Sequence, residues 1–311
     1  MALLFTGIKK ASKALLLTCA IFVLPVSAPA ATLVACGDGL LRNIPPQSSV
    51  DVSGSEFARH VEGLSGSDRE DQIQRQLLAG DMPQFLRKLV PVTLSGALPD
   101  GRNVLITVCV LPDYLAIGSN HDFLTVPMRL ATALSVANHF GFTLPTRKVV
   151  DAIYDQAEVR LAPQPLPAGD QMRSTAYYWQ HNELISEQRV ALGVSPGVLT
   201  AGHKKDLVIT NRLWQHPDRV AIYGWHRGVN SPIQPLSTVH GWRYADYSHG
   251  VRLVSTTIQV NGKPMSIFEA LSDPGLSRLL SGESPLPRPI DLIGKLCSLM
   301  LDVFPTYLPE N

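Results

Sequence analysis

Between residues 67 and 200 apolar positions recur mainly at the three- and four-residue spacing of helices, and beyond residue 201 they switch to the short runs of strands. Ser67 and Glu70 have the spacing of a capping box ahead of Ile73, Leu77 and Leu78, with Gly80 as the stop. Asp81 and Pro83 open a second short helix carrying Phe85, Leu86 and Leu89. Strand-like runs at 103–110 and 114–117 lead into a helix over about 127–139, ended by Gly141, and Pro145 introduces another whose inward stripe is Val149, Val150 and Ile153. A proline-rich connection at 162–170 precedes a further helix at 179–190. Strands follow in "KDLVIT", in "RVAIYGWH" and over about 249–260, the last closing at Asn261-Gly262, a strong hairpin signal. Residues 292, 293, 296, 299, 300 and 303 carry the apolar face of a C-terminal helix at about 290–304. The expected fold is α+β: a helical N-terminal part followed by a largely antiparallel sheet with flanking helices.

The first residues add a compartment. Lys9, Lys10 and Lys13 precede the apolar run "ALLLTCAIFVLPV", and Ala28-Pro29-Ala30 supplies a cleavage site, so residues 1–30 read as a signal peptide and the mature chain as periplasmic or extracellular. "LVAC" at 33–36 is an alternative lipobox that would leave a lipid anchor on Cys36. Residues 31–66, rich in Ser, Gly and Pro, read as an irregular lead-in to a single α+β domain at 67–311, helix-rich to residue 200 and strand-rich over 201–265. Beyond the signal no segment has the length of a membrane span. Three cysteines remain after it. Cys109, within the aliphatic "NVLITVCVL", suits a small core residue, which leaves Cys36 and Cys297 as the expected pair. A formal charge of +1 without a long basic run argues against nucleic acid as a partner.

Candidate chemistry concentrates in "AGHKKD", "YGWH", "VHGWRYAD" and "YSHGVR", and five of the nine histidines fall between 203 and 249. An imidazole base needs a carboxylate to orient it, and strand ends bring such groups together from distant parts of a chain. His203, Asp206, His226, Asp246 and His249 are the candidate catalytic residues, with His249 or His203 as base and Asp246 or Asp206 as orienter. Lys205 and Arg252 are candidates for stabilising developing charge, and Arg147, Trp225 and Trp242 for holding substrate. No cofactor is required by this scheme; a zinc variant would use His240, Asp246 and His249, although side chains alternate along a strand and a bulge would have to bring the last two together. Glu183 and Asp206 are the carboxylates a glycosidase would use.

"DYSHGVRLV" resembles the SHGC[IV]R signature of the L,D-transpeptidases, cell-wall cross-linking enzymes whose nucleophile is the motif cysteine. Val251 stands where that cysteine would be, so the likeness does not carry the mechanism over. "LPTRK", "GHKKD", "IYGWH" and "DYSHG" together resemble a group of secreted bacterial proteins of unassigned function, over roughly residues 80–285. The expectation is a secreted hydrolase acting on an extracellular or cell-envelope polymer, at a peptide or amide bond rather than a glycosidic one; the alternative is a non-catalytic envelope or ligand-binding protein.

Overall fold

A computed structural model describes residues 36–46, 52–64, 66–289, 291–294 and 296. The expected signal peptide, Cys297 and most of the C-terminal helix lie outside the described residues. In chain order the elements are α1 (Gly54–Val61), α2 (Gly66–Leu78), β1 (Val90–Ala97), β2 (Asn103–Val110), β3 (Ala116–Gly118), β4 (Phe123–Thr125), α3 (Leu130–Phe140), β5 (Phe142–Thr143) and α4 (Arg147–Gln156). There follow β6 (Val159–Arg160), α5 (Thr175–Leu192), β7 (Thr200–Ala201), β8 (Lys205–Leu207), α6 (Arg212–Gln215), β9 (Ile222–His226), β10 (Pro232–Ser237) and β11 (His249–Gly250). β12 (Val254–Ser255), β13 (Thr257–Val260), β14 (Lys263–Ser266), α7 (Ile267–Ser272) and α8 (Leu276–Leu280) complete the series.

The protein is α+β, and its sheets are largely antiparallel. The main sheet runs β14-β13-β2-β12-β5, with β1 also paired to β2. A second sheet, β10-β9-β8-β11, carries the one parallel pair that matters for the site, β8 with β11. α4 packs on both β1 and β9 and so links the two sheets. Its Thr146 caps the helix by accepting from the Val149 amide, and Val149, Val150, Ile153 and Tyr154 form the buried stripe. Each such aliphatic side chain contributes about 1.5–3 kcal/mol by burial.

Several expectations change. The lead-in holds α1, whose Ser53 and Glu56 form a full capping box. Ser67 and Glu70 do not form one: Glu70 is buried and instead caps α3, accepting from the Arg129 amide at 3.1 Å and the Thr132 hydroxyl at 2.6 Å. The segment after Pro83 is a short 3-10 turn, Gln84–Arg87, rather than an α-helix. The run from 249 to 260 is three short strands, because Val251 and Leu253 turn away to accept from the amides of Leu115 and Leu111.

Cys109 is bonded to Cys36, not left as a lone core thiol. The reason is the period of two along β2: Val104, Ile106, Val108 and Val110 face the core, so Cys109 points to the opposite face, where the segment at Cys36 covers it. In this structure the Cys36 sulfur is engaged in that bond. Among the described residues no helix is long and apolar enough to cross a membrane.

α3 ends because Gly141 adopts φ 79°, its amide donating back to the last turn. A side chain there meets the left-handed penalty, so Gly141→Ala is expected to lower stability by about 1 kcal/mol, read as a lower urea midpoint with an unchanged slope.

Candidate functional site

Parallel pairing of β8 with β11 sets His249 opposite Lys205 and Gly250 opposite Asp206. The approach requires glycine at 250, where a Cβ would lie 2.6 Å from the Tyr114 ring and 2.8 Å from Lys204 Cβ. Antiparallel pairing of β8 with β9 then places Lys205 against Gly224 and Asp206 against Tyr223. Trp225 follows in the left-handed region at φ 57°, an unusual setting for a bulky residue, and its ring lies 4.9 Å from Lys205 Nζ.

Four polar neighbourhoods result. In the first, Asp246 accepts from the Ser248 amide at 2.8 Å, from the Ser248 hydroxyl at 2.5 Å and from Tyr244 Oη at 2.9 Å. His249 Nε2 stands 4.0 Å from Asp246 Oδ2, too far for a hydrogen bond, and both its ring nitrogens are buried without a hydrogen-bond partner. Tyr244 and His240, stacked at 4.0 Å and only half-buried, roof this pair. Burial pushes His249 down to about 4, against the pull of Asp246, so its imidazole is neutral at pH 7. Burial opposes the Asp246 charge, yet His249, the Ser248 hydrogen bonds and Lys205 hold its pKa below the ordinary value.

In the second, Asp113 is paired with Arg189 and stands 3.4 Å from His203 Nε2. Burial works against its charge, but the Arg189 guanidinium, His203 and Arg252 outweigh it and lower the pKa. His203 is itself pushed down to about 4 by burial. In the third, Tyr114 Oη donates to Asp206 at 2.9 Å, and the Arg252 guanidinium lies 4.5 Å from the Tyr114 ring centre. Burial raises Asp206 to about 6 despite Arg252. In the fourth, Tyr223 Oη and His226 Nε2 meet Asp151 at 2.7 and 3.2 Å, and His226 stacks on Tyr154. Lys204 lies buried, donating to the Tyr247 carbonyl at 2.5 Å, and burial pushes it down to about 7.

The five candidate catalytic residues thus share one region but not one pocket: His203, Asp206, His226, Asp246 and His249 each sit at 3% exposure or less, distributed over the four neighbourhoods. Arg252, expected to meet substrate, is a sealed strut, its two Nη groups donating to the Leu111 and Thr200 carbonyls at 2.8 and 2.6 Å. Arg147 is also elsewhere, against Gly282 at the start of α4. Trp242 packs under Arg243, while Lys205 and Trp225 do border the His249 pair. The three zinc candidates are not arranged as a ligand set, since His240 lies flat on Tyr244. Among the described residues no group of three or more His, Cys, Asp or Glu side chains is placed to hold an ion. Sequence reasoning missed Asp113, Tyr114, Asp151, Arg189 and Lys204. The acid in "VLPDYLAIG" carried a signal, because a lone carboxylate in an apolar run implies a buried charge with a partner.

No family model, curated protein or solved structure matches the chain.

Proposed function

We propose that the protein is an exported hydrolase of a cell-envelope polymer, cleaving a peptide or amide bond at the His249–Asp246 pair. The supporting observation is a contrast in hydrogen bonding. Asp206, Lys204 and the Nη groups of Arg252 are buried and partnered, as braces of a fold are. Both nitrogens of His249, like those of His203 beside Asp113, are instead buried and unpartnered beside a carboxylate, and His249 alone of the two lies next to Lys205 and under the half-buried pair Tyr244 and His240. Leaving such groups unsatisfied costs about 1–3 kcal/mol.

In this reading the roof formed by His240 and Tyr244 swings aside to admit substrate. Neutral His249 takes a proton from water as its oxygen bonds to the amide carbon, and Asp246 stabilises the imidazolium. Lys205, at the edge of the pair, stabilises the carbonyl oxygen as it gains charge. The proton then passes from His249 to the departing nitrogen as the C–N bond breaks, which restores the neutral ring.

The test is release of new amines from purified cross-linked peptidoglycan. Wild type is expected to release them, and His249→Gln, with an unchanged thermal midpoint, to be slower by about 10²-fold. Equal rates in the two proteins would remove His249 from the mechanism. A second reading, a non-catalytic ligand-binding envelope protein, is favoured by the sealing of all five candidates. It predicts no cleavage of any envelope polymer by wild type and undiminished binding by His249→Gln.

A further inference from the structure

Away from the buried histidines, a cavity of about 410 Å³ opens where the first turns of α2 and α5 face the loop before β11. Four arginines from four different segments line it: Arg69 on α2, Arg129 at the N-cap of α3, Arg173 just ahead of α5, and Arg243 on the loop. Arg129 braces the wall, its Nε donating to the Arg243 carbonyl at 3.1 Å and its Nη1 to Ser67 Oγ at 3.4 Å. Arg69 is 8% exposed. Its Nη groups reach Thr175 Oγ1, the Arg173 carbonyl and Tyr178 Oη, but its Nε is buried with no hydrogen-bond partner.

The acids of the cavity do not cancel this charge. Glu70 is spent on capping α3, accepting from the Arg129 amide and the Thr132 hydroxyl. Glu62 and Asp170 are exposed, where water screens them. Four guanidinium groups therefore face three carboxylates, of which Glu70 is committed to the start of α3. The helix starts add positive potential of the same sign, α2 opening at Gly66 and α5 at Thr175. Planar N–H forks approaching from several directions suit a tetrahedral oxyanion of charge −2 better than a flat carboxylate, which offers two oxygens and one charge.

We propose that this cavity is a binding site for a phosphate group, held by Arg173 and Arg243 at its mouth and by Arg69 at its wall. The site stands apart from the hydrolytic reading, since its occupancy involves no bond cleavage. Ala245 closes one end of the cavity and directly precedes Asp246, so a ligand anchored here lies along the chain from the His249 pair.

Calorimetric titration of the full chain with inorganic phosphate, at fixed ionic strength and pH 7.5, tests it. Saturable binding of one phosphate per chain is expected, with acetate binding at least tenfold more weakly. Arg173 and Arg243 are exposed, so Arg173→Ala and Arg243→Ala keep the fold, and each should weaken phosphate at least tenfold. Asp170→Asn, which removes a competing carboxylate, should tighten it. A sugar phosphate binding more tightly than phosphate would place the group on a larger ligand, and equal affinity would point to free phosphate. No saturable binding, acetate binding as tight as phosphate, or unchanged phosphate affinity in both arginine variants would overturn the proposal.

Discussion

Arg252→Ala is expected to lower folding stability by on the order of 4–5 kcal/mol, a large part of the 5–15 kcal/mol typical of a folded domain. The side chain is fully buried, stacks on Tyr114, and ties the Leu111 carbonyl to the Thr200 carbonyl. Its loss leaves two acceptors without their charged donor and a void the size of the longest side chain in the core. Asp206 limits the damage, because a buried carboxylate deprived of its cation takes up a proton instead of staying charged. Arg252→Met fills most of the void and should recover part of the loss. Arg252→Lys keeps the charge but cannot reach both carbonyls, and should fall between alanine and wild type. Guanidinium midpoints of the four proteins check the order; an alanine variant within about 1 kcal/mol of wild type would show that Arg252 is no strut.

Lys204→Met is expected to flatten the pH dependence of stability between pH 9 and 7. In the unfolded chain a lysine binds its proton below about 10.4, whereas in the folded protein burial postpones that to about 7. Over this window the unfolded state gains a proton that the folded state refuses. The stability due to the neutral amine is thus full above the unfolded value and is lost as pH falls toward 7, at about 1.4 kcal/mol per unit. Between pH 9 and 7 this amounts to about 2–3 kcal/mol. Methionine carries no proton in either state, so the variant should lose that slope, keeping only the smaller one of the same sign from half-buried Lys205. It also gives up the donor to the Tyr247 carbonyl, so its deficit should be greatest at pH 9 and shrink, or reverse, by pH 7. Parallel thermal-midpoint curves for the two proteins would mean that Lys204 is charged in the folded state.

The helices that the sequence announces most clearly are those in which local chemistry and packing agree. α4 has its cap at Thr146 and its stripe at Val149, Val150 and Ile153, and α3 has its stop at Gly141, so reading along the chain suffices. The hairpin at Asn261-Gly262 joins β13 to β14 for the same reason. Errors arose where a residue's partner is distant. Glu70 has the spacing for one helix and serves another, since the nearest unsatisfied amide in space is that of Arg129. β1 escaped notice because Pro91, Ser95 and Gly96 dilute its alternation, and only β2 beside it makes a strand of it. α1 carried its capping box in plain sight within a segment whose composition suggested irregularity.

The site was legible as composition and not as geometry. The crowding of histidines between 203 and 249 does reflect polar structure, but the carboxylates beside His203 and His226 are set by tertiary contact. Two of the three acids nearest those rings, Asp113 and Asp151, come from outside the histidine-rich segment. Burial was the other hidden variable, because a motif shows which groups are present and not what covers them. His240 and Tyr244 roof Asp246 from positions only a few residues away, and nothing in the spacing distinguishes a roof from an open rim.

Strands that run in the same direction cannot be joined by a tight turn, so the whole of α6, β9 and β10 must be threaded between Lys205 and His249 before those two become neighbours. A contact closed over so long a detour forms late, after hairpins such as β13–β14 are in place. The larger sheet closes over a longer detour still, Thr107 meeting Gln259, so a chain that has built only its local hairpins holds every residue of the centre and none of its arrangement.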